Sequence, residues 1–371
     1  MTRWTRREVS FMQRALELAQ RGQGRVEPNP MVGCVVVRGD RVVGEGYHQR
    51  FGGAHAEVNA LRAAGRRAKG ATLYVTLEPC GHHGKTPPCT DAVIAAGVGR
   101  VVAATRDPNP LVSGRGLAAL RRARVRVALG LMRDEAEALN APFITVHTLG
   151  RPYIILKWAQ SIDGKIATRT GASKWITSVE SRRAAHALRA RVDAIVVGVD
   201  TVIADDPLLT ARWARPVRVA RRVVLDGRLR TPPTCRLVRT ARTTPTLIVT
   251  GRAGRSAGAR RKRLERAGCE VVELPATAGG GVGLHGLLRL LKDRGTTNVL
   301  VEGGGKVLGA FLDAGLADEA RVFVAPRLVG GERAPGPLRG RGIASIGDDR
   351  TQVEAIQVLG TDCCYNLRFR R

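Results

Sequence analysis

One histidine, one glutamate and two cysteines carry the first chemistry in this sequence. His55-Ala56-Glu57 opens a stretch of helical periodicity, Glu78-Pro79-Cys80 follows an apolar strand-like run, and Cys89 stands nine positions beyond Cys80. One imidazole and two thiolates suit a tetrahedral zinc ion, and three protein ligands leave its fourth position to water. An open position means catalysis, whereas a fourth protein ligand would make the zinc structural. Glu57 is not needed as a ligand and can take a proton from bound water and pass it to a leaving amine. His82 and His83 are rival ligands in principle. They read as loop histidines, either near a substrate phosphate or structural.

A second constellation lies far along the chain. Glu302-Gly303-Gly304-Gly305-Lys306-Val307-Leu308-Gly309 follows an apolar run at 298–301 and opens a helical stretch. Glycines there let backbone approach a pyrophosphate, and the free N–H groups of a helix start attract it. By itself the segment also fits a strand-to-helix turn that binds nothing. No Gly-x-Gly-x-x-Gly follows a first strand, so an ordinary dinucleotide domain is not supported.

The elements that must position these groups alternate between strand and helix, which makes this an α/β protein. Helical periodicity appears at 7–20, 55–64, 90–96 and 117–124, and strands at 32–37, 41–47, 71–77, 100–104 and 125–129. The stretch 140–152, with Pro142, Gly150 and Pro152, reads as the seam between two domains, 1–145 and 150–371. Beyond it, strands are expected at 153–158, 194–198, 222–226, 246–250, 271–274, 298–301, 320–325 and 362–368. Helices are expected at 178–191, 284–293 and 306–314, and a solvated helix within 251–268. A chain of 371 residues, 44% hydrophobic and 25% charged, can bury a core in each domain.

The order His-x-Glu, Pro-Cys, Cys is the pattern of zinc nucleoside and nucleobase deaminases, whose short form separates the cysteines by two residues. Here eight intervene. Pro28-Asn29-Pro30-x-Val32-Gly33, Gly46-Tyr47-His48, His55-Ala56-Glu57-Val58 and the run from Thr76 to Cys89 resemble the bifunctional deaminase–reductases of riboflavin biosynthesis, whose motif carries this long insert. Asp107-Pro108-Asn109-Pro110 and Gly114-Arg115-Gly116 continue the likeness through the first domain. In the second, Lys157 to Lys165, Ser173 to Thr177, Leu188-Arg189-Ala190, Gly198-x-x-Thr201 and Asp205 to Arg212 are similar to the same family's reductase domain.

The resemblance implies a cytidine-deaminase-like three-layer domain followed by a dihydrofolate-reductase-like domain. It implies hydrolytic removal of the ring 2-amino group of 2,5-diamino-6-ribosylamino-4(3H)-pyrimidinone 5′-phosphate. NADPH then reduces the ribosylamino side chain, giving 5-amino-6-(5-phosphoribitylamino)uracil. Zinc would be held by His55, Cys80 and Cys89, with Glu57 catalytic. Carried over position by position, Ala159, Trp175, Thr201, Asp205, Gly227, Gly304, Gly305, Lys306, Val307, Leu308, Gly309 and Ala310 fall at NADPH-contacting positions. Asn29, Ser173, Arg189, Leu209, Arg212 and Glu302 fall at substrate-contacting ones. Arg189 and Arg212 can clamp a phosphate, and Lys157 with Glu302 supplies a proton donor or electrostatic partner for an imine-like intermediate. Arg252, in the loop after the 246–250 strand, is the expected reader of the NADPH 2′-phosphate, with Arg228 in reserve.

The formal net charge of +29 raises nucleic acid, an anionic membrane surface or phosphorylated pyrimidine substrates as partners without choosing among them, and the basic residues, at helical spacing, read mainly as solvated faces. Aromatic residues at 4% are few for a surface that stacks single-stranded bases, so no specific nucleic-acid partner is expected. The alternative is a base deaminase acting on tRNA, with the second half as an accessory domain. A non-catalytic nucleotide- or RNA-binding protein with structural zinc is the other rival. No apolar run approaches the roughly 20 residues that span a bilayer, and the first residues lack a secretory segment. The expectation is therefore a cytoplasmic enzyme, with self-association possible. Seven cysteines at scattered positions argue against a disulfide framework.

Overall fold

The computed structural model describes residues 4–81, 87–110, 112–214, 218–251, 257–277 and 280–370. It divides into two units, Met1–Arg151 and Pro152–Arg371. In the first, the elements run α1 (Arg6–Gln20), β1 (Gly33–Arg38), β2 (Arg41–Tyr47), α2 (Ala56–Ala64), β3 (Thr72–Leu77), α3 (Cys89–Ala95), β4 (Arg100–Thr105), α4 (Arg115–Arg122), β5 (Arg126–Leu129), α5 (Arg133–Leu139) and α6 (Ala141–Leu149). The strand order is β2-β1-β3-β4-β5, with β1 antiparallel to both neighbours and β3, β4 and β5 parallel.

Alternation along the strands builds three layers, because successive side chains point to opposite faces. Cys34, Val36, Leu73, Val75, Val101 and Ala103 pack with Ala60 of α2, Val93 of α3 and Leu117 of α4. Val35, Val37, Tyr74, Val102 and Ala104 pack on the other face with Met12, Ala15 and Leu16 of α1 and Ala136 of α5. Helix α1 starts at Thr5, whose Oγ1 accepts the Glu8 N–H at 3.2 Å while Glu8 accepts the Thr5 N–H at 2.9 Å. That reciprocal cap satisfies two otherwise orphaned donors.

The second unit continues with β6 (Tyr153–Ser161), α7 (Val179–Arg189), β7 (Ala194–Gly198), α8 (Val199–Asp205), β8 (Arg221–Leu225), α9 (Arg236–Arg239), β9 (Thr246–Thr250), α10 (Ala257–Arg266), β10 (Glu270–Glu273), α11 (Leu284–Asp293), β11 (Asn298–Val301), α12 (Gly305–Asp313), β12 (Glu319–Ala325), β13 (Thr351–Leu359) and β14 (Asp362–Phe369). Its sheet order is β10-β9-β8-β7-β11-β6-β12-β14-β13, parallel from β10 to β12 and antiparallel at β14 and β13. The chain leaves β6, builds outward from β7 to β10, then returns to insert β11 between β7 and β6. Ligand crevices form at the carboxyl ends of strands at such a reversal. One face of this sheet packs Ile154, Leu156, Val196, Val223, Leu247, Val299 and Val301 against Leu287 and Leu291 of α11 and Phe311 of α12.

Most of 140–152 is helix α6, with Pro142 in its first turn, where a missing N–H costs nothing; the units divide at the end of that stretch, between Arg151 and Pro152. Helices α5, α8 and α9 and strand β13 add to the elements read from periodicity.

Candidate functional site

In the first unit His55 is the residue before α2, and its side chain caps nothing. Its Nδ1 instead lies 3.1 Å from Cys89 Sγ and 3.6 Å from Cys80 Sγ. Cys80 sits in the loop after β3 and Cys89 opens α3, so the ligands come from three junctions on one side of the sheet. The Cys89 N–H donates to Cys80 Sγ at 3.3 Å, which favours the thiolate. The three ligand atoms lie within 4.8 Å of one another. Zinc bonds of about 2.0 Å to nitrogen and 2.3 Å to sulfur place tetrahedral ligand atoms roughly 3.5–3.8 Å apart, so this donor set fits the ion. His82 and His83 lie outside the described residues.

Glu57 is 3% exposed. Burial, with the Cys80 sulfur adding to it, pushes its carboxyl up to about 7. Asn29 is brought toward the centre through His48: Asn29 Nδ2 is 3.2 Å from His48 Nε2, and the His48 and His55 rings meet edge to face at 5.4 Å. Gly46-Tyr47-His48 gives no sign in the sequence of the His48 role that these contacts reveal. Nor does the sequence single out Asn59, one helical turn beyond His55, whose amide donates to the carbonyls of Tyr47 at 2.9 Å and Ala54 at 3.3 Å and ties that loop to α2.

Glu78 proves to be scaffolding. Its buried carboxylate accepts N–H groups from Asp107 at 3.3 Å, Gly114 at 2.9 Å and Leu117 at 3.1 Å, capping α4 from the loop that carries Cys80. Gly116 completes the junction: a Cβ there would stand 1.9 Å from the Pro79 carbonyl oxygen.

The second unit encloses a cavity of about 1040 Å³ at the carboxyl ends of its parallel strands. Lys157, Ala159, Ser173, Trp175, Arg189, Thr201, Asp205, Leu209, Arg212, Gly227, Glu302, Gly304, Gly305, Lys306, Val307, Leu308 and Ala310 all line it. Gly309 does not. A Cβ on Gly309 would lie 1.3 Å from the Arg339 carbonyl oxygen, so this glycine admits the 339 backbone and is not part of the cavity wall. Arg228, the exposed neighbour of Gly227, is not among the lining residues either, and Arg252 lies outside the described residues.

Glu302 is held at the centre of an ion-pair triad. Arg189 donates Nε and Nη2 to its two oxygens, each at 2.6 Å, and Lys157 Nζ lies 3.9 Å away. Burial alone would raise the Glu302 carboxyl, but Arg189 and Lys157 outweigh it and hold it down to about 2. Burial pushes Lys157 below the usual amine range, against the pull of Glu302. Arg189, expected to help clamp a phosphate, directs Nε and Nη2 to Glu302 and lies with Nη1 3.4 Å from the Thr210 carbonyl. Leu209 adopts φ 52°, a conformation costly for a side-chain-bearing residue. Fully buried Arg222 fixes that loop by donating to the Leu208 carbonyl at 3.2 Å.

The glycine cradle fits a dinucleotide. Gly304 (φ 58°) precedes α12, no side chain caps that helix, and a Cβ on Gly303 would lie 2.7 Å from Val197 Cα. Helix α8 likewise begins uncapped after Gly198. Both helix starts thus leave backbone N–H groups without side-chain caps at this cavity, donors of the kind that suit a phosphate.

The chain matches two family models, "Cytidine and deoxycytidylate deaminase zinc-binding region" over residues 5–105 and "RibD C-terminal domain" over residues 152–365. It is 46% identical over 356 residues to riboflavin biosynthesis protein RibD of Aquifex aeolicus, covering 96% of each chain. The Acinetobacter baumannii RibD structure superposes with a TM-score of 0.86 at 38% identity, covering 98% of this chain and 99% of that one. A Thermotoga maritima structure described as a diaminohydroxyphosphoribosylaminopyrimidine deaminase and 5-amino-6-(5-phosphoribosylamino)uracil reductase gives 0.83 at 36%, with the same coverage. The fold is thus a cytidine-deaminase-like unit followed by a dihydrofolate-reductase-like one. Among the described residues no helix is long and apolar enough to cross a membrane. With a histidine–dicysteine centre in one unit, a glycine-cradled cavity in the other and these likenesses spanning both, the chain belongs to the RibD family of riboflavin biosynthesis proteins.

Proposed function

We propose that the first unit removes the ring 2-amino group of 2,5-diamino-6-ribosylamino-4(3H)-pyrimidinone 5′-phosphate by hydrolysis. The second unit then reduces the ribosylamino side chain of that product with NADPH, giving 5-amino-6-(5-phosphoribitylamino)uracil. The observation that carries this reading is that one chain assembles both a zinc-type donor set beside a buried carboxyl and a glycine cradle beside a partly buried lysine–glutamate–arginine triad.

His55, Cys80 and Cys89 would hold zinc, which would supply Lewis acidity. Glu57, with its carboxyl near neutrality, accepts a proton from the attacking water at a carboxylate oxygen and returns it to the amine that departs as ammonia. Asn29, steadied by His48, presents its amide to the pyrimidine ring. In the second unit Ala159, Trp175, Thr201, Asp205, Gly227, residues 304–308 and Ala310 would hold NADPH, which would supply a hydride for C1′ of the sugar. Ser173, Leu209 and Arg212 bind the substrate chain. Lys157 holds a proton at Nζ beside the electron-poor carbon, and Glu302, fixed by Arg189, keeps that ammonium in place.

The basic surface serves solubility and attraction of phosphorylated substrates, without sequence-selective nucleic-acid binding. Chemistry on such metabolites belongs in the cytoplasm. The tRNA-deaminase alternative gives no role to the second cavity. Cys80→Ala tests the division of labour: deamination is expected to vanish while reduction of supplied, already deaminated substrate stays within about twofold of wild type, since sites without shared partners act independently. Parallel loss of both activities in folded protein contradicts it.

A further inference from the structure

The cavity of the second unit holds a cation that the roles above leave unused. Helix α7 carries Arg182, His186 and Arg189 at i, i+4 and i+7, a spacing that puts them on one face, and all three line the cavity. Arg189 is engaged by Glu302. His186 is neutral near pH 7: burial, reinforced by Arg189 and Arg212, pushes it down to about 4, and its Nδ1 accepts the Arg212 backbone N–H at 3.0 Å. Arg182 differs from both, because among the described residues no carboxylate pairs with it.

Its surroundings fix Arg182 in place without neutralising it. Nη1 donates to the Thr177 carbonyl at 2.7 Å. The guanidinium carbon lies 4.5 Å from the centroid of the Trp175 ring and 6.0 Å from that of Trp213. Indole faces attract a guanidinium through their quadrupole yet leave its net charge intact. Both indoles are open, Trp175 at 64% and Trp213 at 50% exposure. Arg212, next to Trp213, also has no carboxylate partner among the described residues. On the cofactor side the balance is different: Lys306 and Arg230 both pair with Asp200. Lys174 and Arg339 also line the cavity without a carboxylate partner among the described residues, but Arg182 and Arg212 are the two such cations that flank Trp213, Arg212 as its neighbour in sequence and Arg182 over its ring.

We propose that Arg182 is a further substrate-binding residue of the reductase unit, receiving with Arg212 the phosphate monoester of the substrate. The inference rests on the reductase reading given above. A dianionic monoester asks for two cations, guanidinium forks match its oxygens, and stacking sets the Arg182 plane before the ligand arrives.

Steady-state reduction by the full-length zinc-loaded enzyme tests it, using the deaminated substrate and its 5′-dephosphorylated counterpart. Arg182→Gln is expected to raise KM for the phosphorylated substrate about 10- to 100-fold, the range of a hydrogen bond to a charged group. KM for NADPH and kcat/KM for the dephosphorylated compound should stay within about twofold of wild type, as only the phosphate contact is removed. Arg182→Lys, which keeps the charge but loses the planar fork, should show a smaller rise of the same selectivity and serves also if the glutamine variant does not fold. Equal losses on both compounds, a rise confined to NADPH, or no change at all would each overturn the proposal. If wild type itself fails to oxidise NADPH with either compound, the reductase reading fails and this inference with it.

Discussion

Glu57→Gln is expected to reduce deamination by roughly 10²–10⁴-fold, the contribution of a positioned general acid–base group, with one zinc per chain retained and reduction unchanged. The side chain is buried on α2 beside the Cys80 and Cys89 sulfurs, and burial brings its carboxyl to about 7. A carboxyl so placed can both accept and return a proton near neutral pH; an amide of the same shape can do neither. His55, Cys80 and Cys89 are untouched by the change, so the donor set persists. Zinc analysis beside a deaminase assay checks both halves. Loss of metal in Glu57→Gln would make Glu57 a ligand or its support.

The second large effect concerns Glu302. Glu302→Gln leaves Arg189 and Lys157 buried without their anion, and removing one partner of a buried pair costs about 3–5 kcal/mol. Thermal unfolding of the second unit should shift down, and reduction should fall with it. Arg189→Met combined with Glu302→Gln is expected to recover most of the stability, because a buried pair replaced by uncharged groups is often neutral. It should not recover reduction, since Lys157 has lost its partner. The pH dependence follows from the direction of the shift. The Glu302 carboxyl is held at about 2, below its ordinary 4.5. Its stabilisation is therefore full above about 4.5 and lost as pH falls toward 2. Glu302→Gln should flatten that part of the acid-unfolding profile; an unchanged profile would show that the triad does not stabilise the fold.

Much of this site was legible because its chemistry depends on residue type and order. His55, Glu57, Cys80 and Cys89 stand at strand–helix junctions that hydrophobic periodicity marks, and the structure brings them together. What periodicity could not show falls into two kinds. Helix α8 begins directly after β7 with no loop signal between them, and β13 is exposed along most of its length, so neither gives the half-buried pattern that identifies such elements. The second kind is partnership across long sequence separations. Glu78 caps α4 some 40 residues away, Glu302 and Arg189 pair across 113 positions, and Gly309 faces Arg339. Each residue looked like part of a binding motif locally, and only tertiary packing shows which are walls, which are braces and which face the cavity.

The most direct test of the two-step account is mass spectrometry of the diaminopyrimidinone phosphate incubated with the zinc-loaded enzyme in heavy-oxygen water, with and without NADPH. Without NADPH, the product should have lost one nitrogen and carry one labelled oxygen on the ring. With NADPH, the same labelled product should gain two hydrogens on the side chain, with NADPH consumed in equal amount. Substrate that keeps both ring amino groups, or a labelled product left unreduced while NADPH persists, would contradict the account.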